Sequence, residues 1–471
     1  MEETISGIKR SSIIKKFEDK KEIVIMSMEG DVVVDIWKVD EERLGWMQQK
    51  ISQDPKLLSK AAGQKSCCIF RVPSSLVEVN GRAYQPRIVS IGPYHHSQPR
   101  LNMIQEHKWR YLASLLSRTH PIGLSLDHYL KAIAPLEAQA RQCYSEIIPL
   151  PSHEFIEMMV LDGCFIIELF RRVSELVRFE PDDPLVTMSW ILPFFYRDFL
   201  KLENQIPYFI LERLFEISKL PGEASPTLAT LALQFFNHSM LRPEHVIAQC
   251  SDLKGKHLLD LARSSFIPNG ERNREEKRVA TPTHVIYCVS KLRSAGIKIS
   301  PGNGESFLEV KFRHGVIEMP SITMDDFMTS FLLNCVALEQ CYGWCSKDIT
   351  TYVTLLDCLI NTYKDVEYLC ERNIIENHFG TEGEVARFVN NAGRDVAFDI
   401  DACYLSELFN NVHQYYQSGL HVQWASFKYT YFDTPWSFIS ALAAFVLLLL
   451  TVAQTFFAAQ QFFSQKSDPN I

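Results

Sequence analysis

Apolar positions recur every three or four residues over 102–118, 125–147, 154–179, 188–217 and 226–239, and again over 323–345, 349–372, 382–391 and 399–426. That period matches helices that bury one stripe, so each segment predicts a helix. An earlier amphipathic pattern runs over 31–59, where Trp37, Leu44, Met47 and Ile51 fall near three- and four-residue spacing. Two interruptions break the rhythm. CCIFRVPSSLVEVNGRAYQPRIVSIGPYHH (67–96) holds Pro73, Pro86, Pro93 and the turn-forming pair Asn80-Gly81, and reads as extended. IKI (297–299), FLEVKF (307–312) and VIEMP (316–320) read as short strands, the last two joined by a hairpin turn at Arg313-His314-Gly315.

The rhythm vanishes near the C-terminus, where PWSFISALAAFVLLLLTVAQTFF is apolar all round and uncharged from Trp436 to Phe457. As a helix it covers roughly 33 Å, enough for a hydrocarbon layer of about 30 Å. Trp436, Phe438, Leu442, Phe445, Leu448, Leu450 and Phe457 carry the apolar surface, with Trp436 at an interfacial position. Ser437, Ser440, Thr451 and Gln454 oppose insertion only weakly, because they lie toward the ends and Ser and Thr hydroxyls bond back to the helix. A buried core helix would show one polar side, and LLLL at 447–450 leaves none. The expected architecture is mainly α: a large helical body, a small antiparallel β element at about 297–320, and one C-terminal transmembrane helix.

Composition adds limits. Apolar residues make up 46% and charged residues 22% of the 471, ordinary globular values, and the net charge of −8 with no basic stripe argues against nucleic acid as a partner. Twelve scattered cysteines, several inside apolar runs, fit a reducing compartment better than a disulfide framework. The first thirty residues are charged throughout and lack a signal-peptide core. The division that follows is a tail (1–30), a helical first part (31–263), a polar junction (264–283), a second part (284–434), the transmembrane helix (435–460) and a polar end (461–471). A lone C-terminal span without a signal peptide suggests a tail anchor with a cytosolic body. Lys428 and Lys466 flank it evenly, so charge sets no orientation, and the sequon Asn237-His238-Ser239 offers a check on it.

Candidate chemistry is sparse. Nucleotide, GxSxG and HExxH patterns are absent. His95 and His96 lie adjacent in SIGPYHH, so an extended backbone sends them to opposite faces, which is poor metal geometry. Cys341 and Cys345 read as core packing. Glu203, Asn204 and Gln205 interrupt an apolar helix before Pro207, which frees the carbonyl of Glu203 for nearby amides. Asp162, before Gly163 in VLDGCF, needs a partner if buried, with Arg141, Arg171 and Arg172 as candidates. These residues read as a structural polar network. The alternative is an enzyme of unrecognised type with a pocket near Asp162, Glu203 and His95 or His96. No cofactor and no metal are expected.

The order of motifs resembles a plant family, the domain of unknown function 247. The matching blocks include IFRVPSSL (69–76), YQPRIVSIGPYHH (84–96), KWRYL (108–112), MMVLDGCFIIELF (158–170) and DFLKLENQIPYFILERLF (198–215). They continue through LRSAGIKI (292–299), FLEVKFRHGVIEMP (307–320), LLNCVALEQC (332–341) and DCLINTYKDVEYL (357–369) to the closing apolar segment, about 65–463 in all. The resemblance implies a plant source, a mainly helical body and a C-terminal membrane span. It singles out Gly92, Pro93, Tyr94, His95, His96, Asp162, Gly163, Glu203, Asn204, Gln205 and Pro207 as motif residues and supplies no catalytic ones. Some grass members are linked to self-incompatibility as proposed pollen-side determinants. The expected role is therefore a membrane-anchored protein of uncharacterised function, acting in interaction or recognition with an unidentified protein partner.

Overall fold

A computed structural model describes residues 14–16, 23–25, 41–220, 226–268, 286–400, 403–417 and 435–466. The chain divides into two units, Met1–Lys56 and Leu57–Ile471. Within the first unit, strands β1 (Ile14–Lys16) and β2 (Ile23–Ile25) pair antiparallel inside the segment read as a tail. Helix α1 (Glu41–Ser52) follows, with Glu41 and Glu42 in its first turn and Lys50 in its last, the order that its dipole favours. Its Leu44, Met47 and Ile51 are exposed, and Trp37 lies outside the described residues.

The second unit opens with the segment expected to be extended, and there the chain instead inserts α2 (Ser74–Asn80) and a 3-10 turn at Gly81–Ala83. Asn80-Gly81 is thus a helix junction, with Gly81 in right-handed geometry. Helix α3 spans Asn102–Thr119 as expected. The segment 125–147 is broken into α4 (Leu126–Ile133) and α5 (Glu137–Arg141) around Pro135. Helix α6 (Ser152–Val173) is the axis of this part: Met158 to Arg172 are buried without interruption, and α3, α4, α9 and α10 pack on it. Between come α7 (Pro184–Thr187), α8 (Ile191–Asp198) and α9 (Tyr208–Ile217), so the segment 188–217 is two helices with a buried loop between them. Helices α10 (Leu228–Met240), α11 (Glu244–Ala248) and α12 (Leu258–Ser264) complete it.

A ladder of aromatic rings ties these helices together. Phe165 meets Phe195 at 5.6 Å, Phe195 stacks on Phe199 at 5.6 Å, and Phe235 packs on Phe170 at 4.8 Å. Such contacts add about 0.5–1.5 kcal/mol each beyond area burial.

Most of the expected junction, residues 269–283, lies outside the described residues. After it come α13 (Val289–Ser294) and strands β3 (Lys298–Pro301), β4 (Lys311–Arg313) and β5 (Val316–Met319). The hairpin β4–β5 turns at His314 and Gly315, both with positive φ. β3 joins β5 in parallel, so this small sheet is mixed rather than wholly antiparallel. A second pair, β6 (Ile322–Met324) and β7 (Ile375–Asn377), is parallel and brackets α14 (Asp326–Cys341), α15 (Asp348–Leu359) and α16 (Tyr363–Glu371). The segment 349–372 is therefore two helices. Glu339, buried in α14, accepts from the amides of Ile349 (3.1 Å) and Thr350 (2.7 Å) at the start of α15 and from Arg263 of α12 (2.6 Å). An anion placed at a helix N-terminus caps its free amides.

Helices α17 (Glu382–Ala392) and α18 (Ser406–Gln417) end the body. Residues 418–434, expected partly as helix, lie outside the described residues. The last helix, α19, spans Pro435–Lys466, and its stretch Ile439–Gln461 is long and apolar enough to cross a membrane. Trp436, Leu442, Phe445, Leu448, Leu450 and Phe457 are all exposed, while the side chains of Phe438 and of 462–466 fall outside the description. The Thr451 hydroxyl donates to the Leu447 carbonyl at 2.8 Å, which satisfies it within the helix.

Candidate functional site

The buried loop 199–207 and the irregular segment 84–96 meet in the core, and the motif residues do the joining. A loop buried this deeply must satisfy its backbone polar groups without a sheet. Asn204 does so by acting as a strand neighbour: its Oδ1 accepts from the Ile91 amide at 2.7 Å, and its Nδ2 donates to the carbonyls of Val89 (3.1 Å) and Asp198 (3.0 Å). Gln205 Nε2 donates to the carbonyls of Phe199 (2.7 Å) and Lys201 (2.8 Å), while its Oε1 accepts from the Leu259 amide at 3.2 Å. Asp198 receives the amides of Arg87, Ile88 and Val89 at 2.8–3.2 Å. Burial pushes the Asp198 carboxyl up, against these amides, which pull it down.

Glu203 is the second node. It accepts from the Val72 amide (2.8 Å) and the Arg71 guanidinium (2.9 Å), and His95 Nε2 lies 3.3 Å away. The Gln98 amide donates to His95 Nδ1 at 3.0 Å, its orientation set by Arg100 on its oxygen at 3.2 Å. In the neutral ring this leaves the proton on Nε2, facing Glu203. Burial alone would raise the Glu203 carboxyl, but His95, the Val72 amide and Arg71 together hold it below the usual carboxylate range. Arg71 also donates to the Tyr94 carbonyl at 3.2 Å and lies 4.2 Å over the Tyr94 ring.

Asp162 is the third node, and its partner is Lys108 of α3 at 2.5 Å, not an arginine. Arg141 pairs with Glu137, Arg171 with Glu168, and Arg172 reaches Ser114. The other Asp162 oxygen accepts from the Gly92 amide at 2.8 Å. Gly92 has φ +72°, and a Cβ there would collide with the Gln205 carbonyl, so only glycine fits between the two segments. Gly163, one residue after Asp162, lets α9 approach, since a Cβ would strike Leu214. Pro207 precedes α9 instead of sitting inside a helix, because α8 has already ended at Asp198.

The structure thus brings His95, Tyr94, Gly92, Asp162, Glu203, Asn204 and Gln205 into one network, while His96 is half-buried outside it. Cys341 and Cys345 are half-buried and free. Among the described residues no group of three or more His, Cys, Asp or Glu is arranged to hold a metal ion.

Sequence reasoning missed four members: Arg71, Lys108, Asp198 and Lys201. Beyond Asp198 the network borders an open cavity of about 380 Å³, floored by Lys201, whose Nζ donates to the Ala83 carbonyl at 2.6 Å and to the Ser330 hydroxyl. Burial brings the Lys201 amine down to about 7; Asp198 pulls it up, and Arg197 and Arg87 push it down further. A lysine between two leucines in DFLKLENQ carries no local signal of burial.

A family model described as a plant protein of unknown function matches residues 69–450. A UPF0481 protein of Arabidopsis thaliana is 36% identical over 436 residues, covering 88% of this chain and 91% of that protein. Another UPF0481 protein of the same plant is 22% identical over 523 residues, covering 89% and 95%. No solved structure matches.

Proposed function

The chain belongs to the plant family of unknown function whose model spans its body and reaches into its last helix, and from that premise we propose that it is a single-pass, membrane-anchored interaction protein. The observation that carries this reading is α19. Every residue of Ile439–Gln461 with a described side chain is exposed or, at Ala441, half-exposed, so its apolar surface has no cover within the body. In water such a helix would present an apolar patch far beyond what monomeric proteins expose. Burial in lipid removes that cost.

The body faces the cytosol in this reading. Asn237 supports it: its Nδ2 donates to the Arg242 carbonyl at 2.8 Å and its Oδ1 accepts from the Arg242 amide at 2.9 Å, closing the turn after α10. A glycan on Nδ2 would cost the chain that turn. Protein recognition is supported by exposed Trp109, Trp190 and Trp344 on the body, a residue type enriched at interfaces. The enzyme alternative draws less from the geometry. Asp162 and Glu203 are committed to cations and backbone amides, and the cavity opens beside Lys201 instead of His95.

Alkaline carbonate extraction of plant membranes tests the anchor: the intact chain should stay in the pellet and a chain lacking 436–457 should not. Recovery of the intact chain in the soluble fraction, or a glycan on Asn237, overturns the corresponding half of the reading. Proximity labelling from an N-terminal tag should return cytosolic neighbours.

A further inference from the structure

The cavity beside Lys201 lies where the first and second parts of the body meet, between the 3-10 turn after α2, the end of α8, the first turn of α14, and α17. Its charges are unbalanced. Asp198 is taken up by three backbone amides, and Asp326 pairs with Arg197 at 3.2 Å. The carboxylates on the wall are thus engaged, whereas Arg82 and Arg87 stand exposed at its rim and the buried Lys201 amine points to a carbonyl and a hydroxyl. An ammonium held by two neutral acceptors gains from an incoming anion what those acceptors do not supply.

The opposite wall is apolar. Phe379 and Phe388 meet at 5.8 Å with their rings tilted by 56°, and Leu333 and Val79 extend the surface. The volume falls within the range of small-molecule sites, which combine such apolar walls with a few convergent polar groups. We propose that this cavity binds a small molecule bearing a phosphate group, with the phosphate held by Arg82, Arg87 and Lys201 and an apolar portion against Phe379 and Phe388. Guanidinium forks suit phosphate oxygens bidentately, and the buried amine adds a point charge at the floor. A lowered amine pKa fits this role, because the arriving dianion restores the proton that burial disfavours. The phosphate can come from a soluble compound or from a lipid headgroup, and the proposal does not rest on the membrane reading.

The test uses the full chain. In detergent, phenyl phosphate should bind, read by calorimetry, and phenol should not. The double variant R82Q/R87Q changes only exposed side chains, so it should keep its thermal midpoint and lose affinity by roughly tenfold or more. In nanodiscs of neutral lipid, added phosphatidic acid should protect the amides of residues 79–88 from exchange if the headgroup is the source, again only with Arg82 and Arg87 present. Binding in the detergent arm identifies a soluble ligand, and protection in the nanodisc arm alone identifies the lipid. Failure in both arms, equal binding of phenol, or an unchanged affinity in R82Q/R87Q overturns the proposal.

Discussion

Asn204 pairs with both the Ile91 amide and the Val89 carbonyl, so one side-chain amide supplies what a neighbouring strand would. Asn204→Ala would leave the Ile91 amide and the Val89 carbonyl buried and unpaired, at about 1–3 kcal/mol each. A loss of about 3 kcal/mol or more is therefore expected from urea titration of the detergent-solubilised chain. Glu203 sets a different test. Its folded carboxyl titrates below the unfolded one, so its stabilisation is present above the unfolded value of about 4.3 and is lost as pH falls through the folded value. Glu203→Gln should flatten the acid limb of a stability–pH curve; an unchanged limb would place the acid response elsewhere.

Among the elements, α6 shows which features the chain announces in its sequence and which it conceals. Its long apolar run made a helix over 154–179 legible, and the structure places it at Ser152–Val173. The hairpin at Arg313-His314-Gly315 was equally legible, as was the apolar stretch of α19. What stayed hidden depends on contacts distant in sequence. The break at 199–207 and the parallel pairing of β3 with β5 are decided by tertiary partners that local periodicity does not encode, whereas the break at 134–136 falls at Pro135, a local signal. The motif residues were recognisable as polar interruptions, yet the pairing of Asp162 with Lys108 crosses 54 positions and left no local signal. Gly163 tests the close packing of α6 on α9: Gly163→Val should cost about 2–3 kcal/mol through overpacking. Differential scanning calorimetry would register this as a lowered midpoint, and an unchanged midpoint would mean α9 yields freely.

For the whole molecule, Lys201 couples stability to pH on the alkaline side. Burial brings its amine down to about 7 in the fold, with Asp198 and Asp326 pulling it up and Arg197 and Arg87 pushing it further down. The unfolded value lies near 10.4. Between these limits the unfolded chain binds more protons, so Lys201 makes stability rise with pH, and below about 7 its full cost is present. Lys201→Met should remove that rise in denaturation measured from pH 7 to pH 10; a retained rise would show that other groups cause it.

The clamp on residues 83–92 also constrains the order in which the molecule can be made. The Ala83 carbonyl meets its first partner, Lys201, 118 positions later and its second, Asn334, 251 positions later, and the Ile91 amide waits for Asn204, 113 positions later. During synthesis this segment therefore spends a long interval with its polar backbone and its apolar neighbours unsheltered, the interval in which large chains aggregate. A chain released after residue 190, which lacks Asp198 and Asn204, should show fast amide exchange at Ile88, Val89 and Ile91, and the complete chain slow exchange. Chaperone demand should accordingly be set by how soon Asp198 and Asn204 arrive.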